Sequence, residues 1–149
     1  MKFVKCFDIG SRVFFNNKFD DYIPKDYDML YLFDEWIIND TNVLNCKRDN
    51  NDVFYFKNMT LDEFIDDTLN CGTPMRVGKF LVPEFARYLN MTINDLKKLQ
   101  TMFDKLDDKH KYEHIIYESY INNNSFTLTK KQLQEAYDEY RKYRLKFKE

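Results

Sequence analysis

The apolar positions of this chain change period near residue 57. Before that point they come in short runs of strand character; after it they recur every three to four residues. Phe3 to Ile9 reads Phe-Val-Lys-Cys-Phe-Asp-Ile, aromatic and β-branched residues broken by single polar ones, and predicts a first strand. Residues 12–19 carry Val13, Phe14, Phe15 and Phe19 and predict a short helix. Residues 26–33 open on Asp26 and Asp28 and continue as Met29-Leu30-Tyr31-Leu32-Phe33, a strand whose length reads as buried on both sides. Asp34 to Leu44 fits a helix with Trp36, Ile37 and Leu44 inward, and Lys47 to Asn51 a polar turn. Asp52 to Phe56 predicts a third strand with Asp52, Phe54 and Phe56 on one face.

From Thr60 onward the pattern is helical. Thr60 with Glu63, Thr92 with Asp95 and Thr129 with Gln132 have the spacing of capping boxes, and Gly72 marks a stop. Thr73-Pro74 predicts a helix start, with Val77, Phe80, Leu81, Phe85 and Leu89 at helical spacing and Pro83 breaking or kinking the run. Ile93, Leu96, Leu99, Phe103 and Leu106 line one face of the next helix. Asp107 or Asp108 opens another that ends near Asn122 to Asn124, and a last helix runs from Thr129 toward the C-terminus. The expectation is an α+β fold: one domain, residues 1–149, with an α/β core over 1–57 and a helical extension over 58–149.

Bulk properties narrow the class. A chain of 149 residues with 44% hydrophobic and 17% aromatic residues can bury a core and is not a disordered segment. A net charge of −2, balanced in both halves, argues against a general nucleic-acid coat. Cys6, Cys46 and Cys71 are odd in number and match no metal-ligand spacing, which fits reduced thiols in a cytoplasmic protein. No apolar run approaches transmembrane length, so no membrane is expected as a partner.

The candidate chemistry lies between Phe7 and Phe33. Gly10-Ser11 ends the first strand in a chain with only three glycines; a glycine there permits a sharp turn and close approach to the main chain. Asp26 and Asp28, two apart on a strand, point to one face. Two desolvated carboxylates side by side repel each other, and a hard divalent cation such as Mg²⁺ relieves that repulsion.

Gly10-Ser11, a spacer, and then Asp26-x-Asp28 on a hydrophobic strand resemble the signature of the polymerase-β-type nucleotidyltransferase superfamily, and the size is most similar to its minimal nucleotidyltransferases. The likeness covers roughly Phe3 to Phe56. It implies a small mixed or antiparallel sheet and transfer of a nucleoside monophosphate from a nucleoside triphosphate such as ATP to a hydroxyl, assisted by two Mg²⁺ ions. It also implies that Asp26, Asp28 and a third carboxylate hold the metal, while Gly10, Ser11 and Arg12 bind the triphosphate. Asp52 is the first choice for the third carboxylate and Asp34 the reserve; Asp52 reads equally well as a turn residue closing Asp49-Asn50-Asn51. The Arg12 to Lys25 interval is longer than the family's usual one and contains Pro24, so its helix should be short.

Three further features carry a sharp and a bland reading. His110-Lys111-Tyr112-Glu113-His114 matches a zinc-peptidase spacing, but both histidines fall opposite the face of Tyr112, Ile115, Ile116 and Ser119, which places them in solvent. Arg76 and Lys79 fit a solvated helix face better than a phosphate contact. Arg141, Lys142, Arg144, Lys146 and Lys148, among Tyr137, Tyr140, Tyr143 and Phe147, could present a basic surface to RNA; the preferred reading is aromatics packed on the body with cations at a helix C-terminus. The alternative to an active transferase is a catalytically silent relative that binds a nucleotide or a partner protein, for example as the antitoxin-like partner of a helical protein. A protein hydroxyl, a small molecule and RNA all remain open as acceptors.

Overall fold

The computed structural model describes residues 2–24, 27–35, 43–48, 51–70 and 74–146. The chain divides into two compact units, Met1–Thr60 and Leu61–Glu149, close to the change of period in the sequence.

The first unit is a four-stranded mixed sheet in the order β1-β2-β4-β3. Strand β1 (Phe3–Ile9) runs antiparallel to β2 (Asp28–Phe33), β2 runs parallel to β4 (Asn51–Lys57), and β3 (Val43–Arg48) closes the far edge antiparallel to β4. A five-residue helix α1 (Ser11–Phe15) follows β1, as short as the proline-bearing spacer predicts. Alternation sorts the side chains. Phe7 and Ile9 of β1, Leu30 and Leu32 of β2, and Phe54 and Phe56 of β4 are buried together on one face, with Phe14 and Phe15 of α1 also buried. The opposite face carries Phe3, Tyr31, Phe33 and Tyr55, whose rings meet at about 6 Å. β2 therefore alternates between buried and half-buried positions and is not equally enclosed on both sides.

Around β3 the structure differs from the sequence reading. The helix expected over Asp34–Leu44 does not extend through Leu44, because Val43 and Leu44 already belong to β3. Lys47 and Arg48 belong to that strand and Asn51 to β4, so these three residues do not form the expected polar turn; residues 49–50 lie outside the described residues. The pairing Val43↔Phe56 to Arg48↔Asn51 explains the difference: a polar, alternating segment gains its conformation from a neighbouring strand.

The second unit is helical. α2 (Leu61–Asn70) begins one residue after Thr60. The next segment winds as a π-helical turn over Arg76–Phe80, breaks at Leu81 and Val82, and restarts as α3 (Pro83–Tyr88) with Pro83 at its first position. α4 (Ile93–Lys98) opens on the reciprocal Thr92–Asp95 box, with Thr92 Oγ1 accepting from the Asp95 main chain and Asp95 accepting from the Thr92 N–H. The helix expected through Leu106 pauses at Leu99, which separates α4 from α5 (Gln100–Phe103). A 3₁₀ turn (Asp108–His110) leads into α6 (Lys111–Asn123), which ends on left-handed Asn124. Thr129 and Gln132 close the last box at the start of α7 (Lys130–Lys146). Rings pack between these helices: Phe64 on Phe85, Phe103 on Tyr117, and Tyr112 on Tyr140. Among the described residues, no helix is long and apolar enough to cross a membrane.

Candidate functional site

The first unit brings Gly10, Asp28 and Asp52 together. Asp28 opens β2 and Asp52 is the second residue of β4. The parallel register Met29↔Val53 and Leu30↔Phe54 places them beside each other on the face of Leu30 and Phe54. The Asp52 main-chain N–H donates to Asp28 Oδ1 at 3.3 Å. Asp28 is only 8% exposed and Asp52 is half-buried. Ile9 of β1 pairs with Asp28 from the other side, so the next residue, Gly10, passes over the Asp28 carboxylate. Gly10 has φ +82° and ψ −164°, and a Cβ built there would lie 2.9 Å from Asp28 Oδ2. Both facts require glycine: the backbone angles suit only a residue without Cβ, and the space is already taken by a carboxylate oxygen.

Ser11 follows on α1, and its hydroxyl lies 3.0 Å from the hydroxyl of buried Tyr22. Arg12 stands elsewhere. Its Nη2 bonds Asp8 Oδ1 at 2.6 Å and lies 3.9 Å from Met29 Sδ, and its guanidinium sits 4.4 Å from the centre of the Tyr27 ring. Asp8 and Met29 alternate with Ile9 and Asp28, so Arg12 belongs to the opposite face of the sheet. Asp26 lies outside the described residues. Asp34 exchanges hydrogen bonds with the Lys2 main chain at the other end of β2, about 20 Å from Asp28 at strand rise. Asp52, not Asp34, is therefore the acidic residue that the fold sets beside Asp28.

No group of three or more metal-ligating side chains occurs among the described residues. Asp28 and Asp52 could offer oxygen ligands to a hard cation such as Mg²⁺, which would need water or phosphate oxygens to complete its shell.

The second unit holds a polar cluster that the sequence reading placed in solvent. Arg76 and Lys79 are both buried, Arg76 paired with Asp67 of α2. They do not form a solvated helix face, because the π-helical turn departs from the 3.6-residue period that such a face assumes. His110 is buried too, with Nδ1 3.2 Å from Glu113 Oε2, and Glu113 is wholly enclosed. His110 belongs to the 3₁₀ turn before α6, so the helical wheel that put it outside does not apply. Gly78 packs against Glu113 so closely that a Cβ would overlap Glu113 Oε2, and Tyr117 donates its hydroxyl proton to the Gly78 carbonyl. Burial raises the Glu113 carboxyl above its ordinary range, against the opposing pull of His110 and, more weakly, Lys79. His114 lies apart, 3.7 Å from both Asp104 and Glu118.

On α7, Tyr137 is buried and Tyr140 packs on Tyr112, while Arg141 pairs with Asp138 and Lys142 with Glu139. The aromatics there serve packing, and two of the cations are met by acids of their own helix.

No protein-family model matches the chain, and no curated protein or solved structure matches it.

Proposed function

We propose that this chain is a metal-dependent nucleotidyltransferase that moves a nucleoside monophosphate from a nucleoside triphosphate to a hydroxyl acceptor. The observation that carries the reading is the placement of Asp28 and Asp52 side by side on parallel strands, with the Gly10 turn pressed over the Asp28 carboxylate. Two acidic residues at neighbouring, half-buried strand ends repel each other, and a bound cation would relieve that repulsion.

Asp28 and Asp52, with Asp26 as third ligand, would hold two Mg²⁺ ions, which neutralise the triphosphate and the charge on the attacking and leaving oxygens when bound. The chain's own work is positioning. Gly10 keeps the main chain close over Asp28, so a cation held by Asp28 would lie near the Gly10-Ser11 turn. Ser11 offers a hydroxyl proton to a phosphate oxygen. The acceptor oxygen bonds to the α-phosphorus, the bond to the β-phosphate oxygen breaks, pyrophosphate leaves and the hydroxyl proton passes to water. Arg12, tied to Asp8 and stacked on Tyr27, has no part in this set.

Thermal unfolding with ATP, GTP, CTP and UTP, each with and without Mg²⁺, tests the reading. A ligand at a hundredfold excess over its Kd adds about 2.7 kcal/mol to stability. A rise in Tm that needs triphosphate and Mg²⁺ together is expected; four triphosphates without effect overturn the reading.

A further inference from the structure

Tyr22 lies between α1 and β2 in the chain, and the transfer mechanism gives it no task. It is nine-tenths buried, its ring meets the Phe15 ring edge-on at 5.9 Å, and its main-chain N–H bonds the Phe19 carbonyl. Phe15 is itself wholly buried, so the tyrosine oxygen is held at a fixed place, 3.0 Å from Ser11 Oγ.

A hydroxyl has one proton and two lone pairs, so the Ser11–Tyr22 bond can run in either direction. If Ser11 donates, it turns only lone pairs toward a ligand. If Tyr22 donates, the Ser11 proton is left to point outward. Ionised phosphate oxygens accept and never donate, so an anion selects the second arrangement. The chain tyrosine O–H to serine O–H to phosphate oxygen is also mutually polarising, which strengthens its last link.

We propose that Tyr22 is a positioning residue for triphosphate binding: it donates to Ser11 Oγ and commits the Ser11 proton to a phosphate oxygen. This rests on the nucleotidyltransferase reading. The buried ring supplies the rigidity, and the bound anion selects the direction of the bond between the two hydroxyls.

The test is a double-mutant cycle in the full chain: wild type, Tyr22→Phe, Ser11→Ala and the double variant. Calorimetric Kd values are measured for the four ribonucleoside triphosphates with Mg²⁺, and ligand-free Tm values are measured beside them. Tyr22→Phe should weaken binding roughly three- to tenfold, the worth of one hydrogen bond between neutral groups. In the Ser11→Ala background the same change should shift Kd by less than about twofold, whatever it does to Tm. Ser11→Thr keeps the hydroxyl and should keep the dependence on Tyr22. Equal affinity of wild type and Tyr22→Phe overturns the proposal while leaving the transferase reading intact, and so does an equal loss in both backgrounds. Binding by none of the proteins overturns both.

Discussion

The main-chain N–H of Asp52 donates to the carboxylate of Asp28 across two neighbouring parallel strands. One carboxylate is thus partly satisfied by the backbone of the residue that carries the other. One partner in this contact is the strand backbone itself, so the register of the sheet fixes where Asp28 is held.

Asp28→Asn tests this pair directly. Asparagine keeps an acceptor for the Asp52 N–H and removes one negative charge. Transfer of label from an α-labelled triphosphate into acceptors of a cell lysate should fall by at least about a hundredfold, as for loss of a charge that stabilises a transition state. The Mg²⁺-dependent rise in Tm should vanish with it, while the far-ultraviolet circular dichroism stays that of wild type.

Gly10→Ala should damage both stability and the site. The left-handed φ strains any residue with a Cβ, and that atom would press on Asp28 Oδ2. A loss of about 1–3 kcal/mol in a urea titration is expected. An unchanged midpoint would mean that the turn relaxes.

Glu113 gives the pH dependence. Its folded pKa lies above the unfolded reference of 4.5, so its contribution to stability is fully present below that reference and is lost as pH rises through the folded value. Glu113→Gln mimics the protonated form. The difference in Tm between Glu113→Gln and wild type should therefore move in favour of glutamine from about pH 4 to about pH 7. A difference that stays flat, or moves the other way, would mean that His110 and Lys79 fully offset the burial.

Thr92→Ala removes one half of the box that opens α4. Thr92 Oγ1 accepts from the Asp95 N–H at 3.2 Å, and Asp95 is held below its ordinary pKa chiefly by the Thr92 main chain. Loss of the hydroxyl should cost about 1 kcal/mol in denaturant unfolding.

Much of this structure is legible in the chain because its signals are local. Phe3–Ile9, the Thr92–Asp95 and Thr129–Gln132 boxes, the restart at Pro83 and the stop at Asn124 all depend on residues within one turn or one strand. β3 is not legible that way, because Val-Leu-Asn-Cys-Lys-Arg owes its conformation to pairing with β4. Asp28 and Asp52 are readable as strand openers, but their adjacency requires the parallel register, which no local pattern encodes. Arg12 follows Gly10-Ser11 in sequence yet leaves the site, since Asp8 lies four residues back across the turn and claims its guanidinium. That spacing could have raised the pairing. Tyr22 gives no signal at all until its ring is seen on Phe15.

The turn at Arg76–Phe80 winds five residues where an α-helix would fit four, the geometry left by a one-residue insertion. Removing a single residue there would let the segment close into an ordinary α-helical turn. A deletion that removes Gly78 or shifts its place in the turn would bring a residue with a Cβ against the buried Glu113 carboxylate. Deletions through 76–80 should therefore divide by whether Gly78 still meets Glu113, those that displace it being the more damaging.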